Sequence, residues 1–242
     1  MKLLAINHLQ KKFGGVVALK DLSMTVIPGE IVGVMGANGA GKTTLFSLIA
    51  GHDRPTAGEI KFDGQHLNGR SPDQICRMGI ARTFQIVRPL RGLSVLDNIT
   101  IAVRFGDSRT TREPEIIKRS HEILENLELE DRAPQFAGTL TLSDQKRLEV
   151  ARAVATGPRL LLLDEVMAGL TLTEVQNMMD AIVRLKKIHS LTVLVIEHVM
   201  RALMTLSDRI VVLHHGELIA HGTPEEVAAN TVVQNAYLGS SA

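Results

Sequence analysis

The sequence predicts an α/β protein whose core is a mainly parallel sheet, and three observations predict it. Five short apolar runs, Ile31–Met35, Gly79–Thr83, Leu160–Leu163, Thr192–Ile196 and Ile210–Leu213, have the length and continuity of strands buried on both faces. Helical patterns separate several of them; between Thr173 and Lys187, residues Val175, Met178, Met179, Ile182 and Leu185 fall on one stripe. The first run passes directly into a glycine-rich segment and then into a helical pattern at Thr44–Ala50. Alternation of this kind gives a doubly wound sheet.

The N-terminal segment reads differently. Leu3–Leu9, Leu22–Ile27 and Glu59–Phe62 are short strands divided by Gly-Gly, Pro-Gly and Asp-Gly turn signals, which predicts a small antiparallel β-subdomain. From about Arg88 to Thr156 the β-branched runs stop. Glu115–Leu127 carries Ile116, Ile117, Ile123, Leu124 and Leu127 near helical spacing, and Asp144–Ala155 is a second amphipathic run closed by Gly157-Pro158. These predict a helical subdomain over about 88–156, inserted between the second and third core strands of a single domain spanning 1–242. The polar stretch Arg104–Glu113 reads as a loop within it. Near the C-terminus, Thr223-Pro224-Glu225-Glu226 has the cap, proline and glutamate of a helix start.

Composition bounds the function. The chain has 242 residues, 45% of them hydrophobic, with 27 basic against 26 acidic side chains. So even a balance does not favour nucleic acid as a partner. With 3% aromatic residues and no tryptophan, the core must be aliphatic. The single cysteine, Cys76, excludes an internal disulfide framework and suits a reducing compartment. No apolar stretch approaches the length of a membrane span, and Met1-Lys2-Leu3-Leu4-Ala5 is too short for a signal peptide. The expectation is a soluble, intracellular chain; if it works at a membrane, another subunit supplies the spans.

Gly36-Ala37-Asn38-Gly39-Ala40-Gly41-Lys42-Thr43-Thr44 is a phosphate-binding loop. Its glycines let successive backbone N–H groups approach a β-phosphate without a Cβ in the way, and the following helix adds partial positive charge. Lys42 is expected to reach the β- and γ-phosphates and Thr43 to offer its hydroxyl to Mg²⁺. The ligand is therefore a nucleoside triphosphate, and the core is that of a P-loop NTPase.

Leu160-Leu161-Leu162-Leu163-Asp164-Glu165 is the second strong signal. Two carboxylates emerge from the C-terminal end of a buried strand, where α/β sheets bind their ligands. Asp164 is placed to hold Mg²⁺, directly or through water, and Glu165 to orient and deprotonate the attacking water. Three further residues have two readings each. Gln85 follows a strand and can coordinate Mg²⁺ or the water, or sit solvated at the surface. His198, beyond Thr192–Ile196, can bond the leaving phosphoryl group or be a satisfied core histidine. Phe13 can stack on a purine or pack at its strand end.

The order aromatic, phosphate loop, Gln, helical insertion, Asp-Glu strand, His strand resembles the nucleotide-binding subunits of ABC transporters over essentially the whole chain. The resemblance assigns Phe13 to adenine stacking, Gln85 to the Q-loop and His198 to the switch histidine. It implies ATP as the nucleotide and head-to-tail dimers enclosing two ATP molecules, formed with a second copy or with a sibling ATPase. Integral-membrane permease subunits would hold the chain on the inner face of the cell membrane. Gly79–Gln85, Leu93–Ile99, Ala168-Gly169-Leu170, Gly222–Glu226 and Ala236–Gly239 are similar to the ATPases of branched-chain amino acid importers. That similarity implies a periplasmic or extracellular solute-binding protein as an indirect partner. The ATPase of the lipopolysaccharide exporter is similar in the tail but less so around Gln85.

The family's signature segment, usually Leu-Ser-Gly-Gly-Gln, falls on Leu140-Thr141-Leu142-Ser143-Asp144. Both glycines are replaced, and an acid stands where glutamine is usual. Thr141, Ser143 and the helix-N-terminal backbone could still bond a γ-phosphate across the dimer. Val166 replaces a proline and Thr171 an aspartate. The expectation is an ATPase that powers import of branched-chain amino acids or related solutes. The alternatives are lipid or lipopolysaccharide export and a weakly hydrolysing regulatory subunit.

Overall fold

The computed structural model describes residues 2–84, 89–106 and 112–238. In chain order the strands are β1 (Leu4–Phe13), β2 (Val16–Val26), β3 (Ile31–Gly36), β4 (Ala57–Phe62), β5 (Gln65–His66), β6 (Ile80–Arg82), β7 (Leu160–Asp164), β8 (Thr192–Ile196), β9 (Arg209–His214) and β10 (Glu217–Gly222). The helices are α1 (Lys42–Ile49), α2 (Pro72–Arg77), α3 (Val95–Gly106), α4 (Glu113–Asn126), α5 (Leu142–Ala155), α6 (Leu172–His189), α7 (Met200–Leu206), α8 (Pro224–Ala229) and α9 (Thr231–Leu238). The chain folds as two compact units, Met1–Ile75 with Thr192–Ala242, and Cys76–Leu191.

In the first unit, β2-β1-β4-β5 form an antiparallel sheet, as the turn signals predict. Its strands run longer than the apolar runs: the β1–β2 hairpin extends to the Phe13–Val16 pair. Backbone pairing carries it past Lys11, Lys12, Lys20 and Asp21, which hydrophobic patterning alone reads as loop. The same unit holds β10-β9-β3-β8, with β3 parallel to both β8 and β9. β10, antiparallel to β9, was not foreseen; its alternation is weak, and the His215-Gly216 turn is its main local signal. Every residue of Val32–Val34, Val193–Ile196 and Ile210–Leu213 is buried. Each such aliphatic side chain contributes about 1.5–3 kcal/mol of transfer free energy. The α8 start is the capping box the sequence predicts: Thr223 accepts from the Glu226 N–H, and Glu226 returns a bond to the Thr223 N–H at 2.9 Å.

In the second unit β6 and β7 pair in parallel, Ile80 to Leu160 and Arg82 to Leu162. α4, α5 and α6 occupy the three helical patterns read from the sequence, with ends differing by at most two residues. α3 was not read as a helix from its periodicity. It is anchored by buried Asn98, whose amide donates to the Leu90 and Ser94 carbonyls and accepts from the Leu90 N–H. Gln85 and the middle of Arg104–Glu113 lie outside the described residues. Among the described residues no helix is long and apolar enough to cross a membrane.

Candidate active site

The phosphate-binding segment leaves β3 at Gly36 and enters α1 at Lys42. Two of its glycines are required by their surroundings. A Cβ on Gly36 would lie 2.6 Å from the Leu213 carbonyl oxygen, and Gly41, at φ 105°, would place one 2.7 Å from the Ala18 carbonyl oxygen. No L side chain meets both the close approach and the left-handed backbone at Gly41. The loop is braced on the far side by the β9–β10 turn, where the Gly216 N–H donates to the Ala40 carbonyl at 3.1 Å. Ala37, Asn38, Gly39 and Thr43 are exposed, whereas Ala40 and Lys42 are buried and Thr44 is half-buried. The Lys42 ammonium donates to the carbonyls of Gly36 at 2.5 Å and Ala37 at 3.1 Å, inside the curve of the loop.

The same unit carries two more of the candidate residues. His198, exposed, lies just beyond β8, whose parallel pairing with β3 opens both strand ends at one edge of the sheet. Phe13, 46% exposed, ends β1, so its ring is not a core aromatic. The Lys11 ammonium sits 4.4 Å from the centroid of that ring and also reaches Asp53 at 3.2 Å.

The second unit supplies the carboxylates. Asp164 ends β7 and is 2% exposed. Arg82, on the neighbouring strand, lies 2.8 Å from its Oδ2, and the Thr83 hydroxyl accepts the Asp164 N–H at 3.0 Å. Buried carboxylates require such partners. Glu165 follows at φ 53°, a left-handed conformation unusual for its residue type. The buried ammonium of Lys146, on α5, donates to its carbonyl at 2.8 Å. Glu149 on the same helix accepts the Phe84 N–H at 2.6 Å, one residue before Gln85. Arg82, Lys146 and Glu149 were not singled out from the sequence. Arg82 and Glu149 stand next to apolar residues in the sequence, whereas Lys146 lies in the polar run Ser143–Arg147 and carries no local signal.

α5 begins where the signature segment was placed. Thr141 is its N-cap and accepts the Asp144 N–H at 3.2 Å. Ser143 is buried, and its hydroxyl bonds the Glu174 carboxylate. That carboxylate is held below its ordinary range first by the Thr171 N–H and hydroxyl, which with Glu174 form the capping box of α6. Leu142 is half exposed, and its Cδ2 would stand 3.2 Å from a Cβ on Gly169. Asp144 lies 3.7 Å from Arg132.

A strand feeding a glycine-rich loop at a helix N-terminus, with an Asp-Glu pair at the end of a leucine strand, defines a P-loop ATPase of the cassette type. A family model described as ABC transporter matches residues 19–168, and one described as branched-chain amino acid ATP-binding cassette transporter matches residues 217–242. The chain belongs to the ABC transporter family and is one of its ATPases. It is 39% identical over 251 residues to the high-affinity branched-chain amino acid transport ATP-binding protein LivG of Escherichia coli K12, covering 99% of this chain and 98% of that one. BraF of Pseudomonas aeruginosa, of the same description, is 37% identical over 99% of this chain and 98% of its own. The ADP conformation of MJ1267, an ATP-binding cassette of an ABC transporter, matches with a TM-score of 0.87 at 27% identity over 99% of both chains. A dimeric structure of MJ0796, a bacterial ABC transporter cassette, matches at 0.82 and 27% identity over 91% of this chain and 98% of that one. The fold and family expected from the motif order are those found.

Proposed function

We propose that this chain is the ATP-hydrolysing subunit of an importer for branched-chain amino acids or closely related solutes. The observation that carries the reading is 39% identity over 99% of the chain to a branched-chain amino acid transport ATP-binding protein, joined to a family-specific match over residues 217–242. Export of lipid is the weaker reading, since neither observation favours it.

In this reading Phe13 stacks on adenine, and Gly36, Asn38, Gly39, Ala40, Gly41, Lys42, Thr43 and Thr44 cradle the phosphates. Thr141 and Ser143 face the γ-phosphate bound by a second ATPase, either a copy of this chain or a sibling. Glu165 polarises the attacking water, with Gln85 and His198 orienting water and phosphoryl group. Mg²⁺ would be held by Thr43, Gln85 and Asp164, a set of hard oxygen donors that suits it. Among the described residues no three His, Cys, Asp or Glu side chains form a metal site. The ion would neutralise charge on the phosphates. Residues 88–156 act as the helical subdomain, permease subunits hold the chain at the inner face of the membrane, and a periplasmic or extracellular solute-binding protein delivers cargo to those permeases from the other side.

The test is Glu165→Gln in the assembled transporter. ATP binding should persist, while hydrolysis and amino acid uptake fall by at least about a hundredfold. Hydrolysis at the parental rate would remove Glu165 from the mechanism. Uptake of no branched-chain amino acid by an active complex would remove the substrate assignment.

A further inference from the structure

We infer that Lys146 is a positioning residue for Glu165, holding the main chain from which its side chain departs; this rests on the reading of Glu165 as the base. Lys146 lies on α5, two residues beyond Asp144, and is 4% exposed. A lysine so deeply buried is uncommon, because its ammonium gives up hydration that only strong acceptors replace. Its ammonium is directed at the main-chain oxygen of Glu165, 2.8 Å away. The same oxygen accepts the Ala168 N–H at a longer 3.3 Å.

Glu165 needs such a tether. At φ 53° it occupies a backbone region that a long side chain enters only when its surroundings hold it there. The Cα–Cβ direction follows from the backbone, so whatever holds this peptide sets the point and direction from which the Glu165 side chain departs, and its rotamers carry the carboxylate on from there. A charged donor makes a shorter and stronger bond than a neutral one, and it comes from the helix whose first turn is the signature segment. Glu149, three residues further along the helix, holds the Phe84 N–H at 2.6 Å. α5 therefore grips the main chain on both sides of the β6–β7 pair at its C-terminal end. A change at the Thr141–Asp144 turn reaches the Glu165 backbone through Lys146.

The test compares variants of the full chain in kcat, KM for MgATP and Kd for ATP. Lys146→Met keeps the length and apolar stem but not the donor, and kcat is expected to fall at least about tenfold while Kd stays within about twofold. Lys146→Arg keeps a cationic donor and should retain at least about half of kcat. Lys146→Gln, with a neutral donor, makes the same comparison should the methionine variant not accumulate. In a Glu165→Gln background, adding Lys146→Met should change the residual rate by less than about twofold, because both act on one carboxylate. Parental kcat in Lys146→Met, a parallel rise in Kd, or losses that multiply in the double variant would overturn the inference. Glu165→Gln with full turnover defeats both readings. An inactive Glu165→Gln beside a fully active Lys146→Met defeats only this one.

Discussion

The guanidinium of Arg82 lies 2.8 Å from the carboxylate of Asp164, and the two side chains are 8% and 3% exposed. They are 82 residues apart and meet because β6 and β7 pair in parallel with Arg82 opposite Leu162. A buried pair of this kind adds little net stability, but removing one partner strands the other. Arg82→Met is expected to destabilise the chain by about 3–5 kcal/mol, measured by urea unfolding. Adding Asp164→Asn should recover part of that loss; if the double variant is less stable than Arg82→Met alone, the pair does not act as described.

The signature segment makes a second prediction. Leu142 and Ser143 stand where glycines are usual, the Ser143 hydroxyl is engaged by Glu174, and Asp144 lies 3.7 Å from the exposed Arg132. At that separation, and with the Arg132 side chain half exposed, the pair offsets little of the acid's charge. Leu142→Gly, Ser143→Gly and Asp144→Gln together should raise kcat of the assembled complex about two- to tenfold by freeing close approach to phosphate. Unchanged turnover would mean that Thr141, Ser143 and the backbone N–H groups of the parental segment already suffice.

Leu90 tests the contact with the membrane subunits. The stretch Ile86–Leu96, whose first three residues lie outside the described ones, is proposed to receive a short permease helix. Leu90 is 40% exposed and is held through its backbone by Asn98. Leu90→Glu should therefore leave stability within about 0.5 kcal/mol. Transport in membranes should drop at least about tenfold, the factor that 1.4 kcal/mol of lost docking produces. ATPase activity of the isolated chain should be unaffected. Crosslinking that finds no permease contact anywhere in Gln85–Asn98 would rule the surface out.

His189 gives a pH dependence. Burial first, and then the Arg119 charge, lower its pKa from the ordinary 6.5, with Glu122 opposing. The unfolded chain then binds the proton more readily than the folded one, so stability rises with pH wherever their protonation differs. The contribution is complete above about 6.5 and is lost as pH falls from there towards the lower folded-state value. His189→Gln should flatten the stability profile across that interval. An identical acid limb in parent and variant would show that His189 does not contribute.

Much of the molecule is written in short-range pattern. Gly36–Thr44 between a β-branched run and a helical one specifies its own loop, because glycine spacing and strand–helix context act within a dozen residues. The leucines of 160–163 declare a strand buried on both faces, and the Val175–Leu185 stripe declares the α6 face that is buried. Thr223 and Glu226 close a cap three residues apart. Thr171, a departure from the family pattern, carries the same local signature with Glu174 three residues on. Other features depend on which strands become neighbours. β10 is legible only once β9 offers it a ladder, and α3 only once Asn98 has the Leu90 and Ser94 carbonyls to bind. The partners of the buried charges are decided the same way. Arg82 with Asp164, Lys146 with the Glu165 carbonyl and Glu149 with the Phe84 N–H span 82, 19 and 65 residues. Periodicity reports which face of an element is buried. Which polar atom waits on the other side is settled by strand order and helix placement, because a buried charge takes whatever partner the packed chain brings within 3 Å or so.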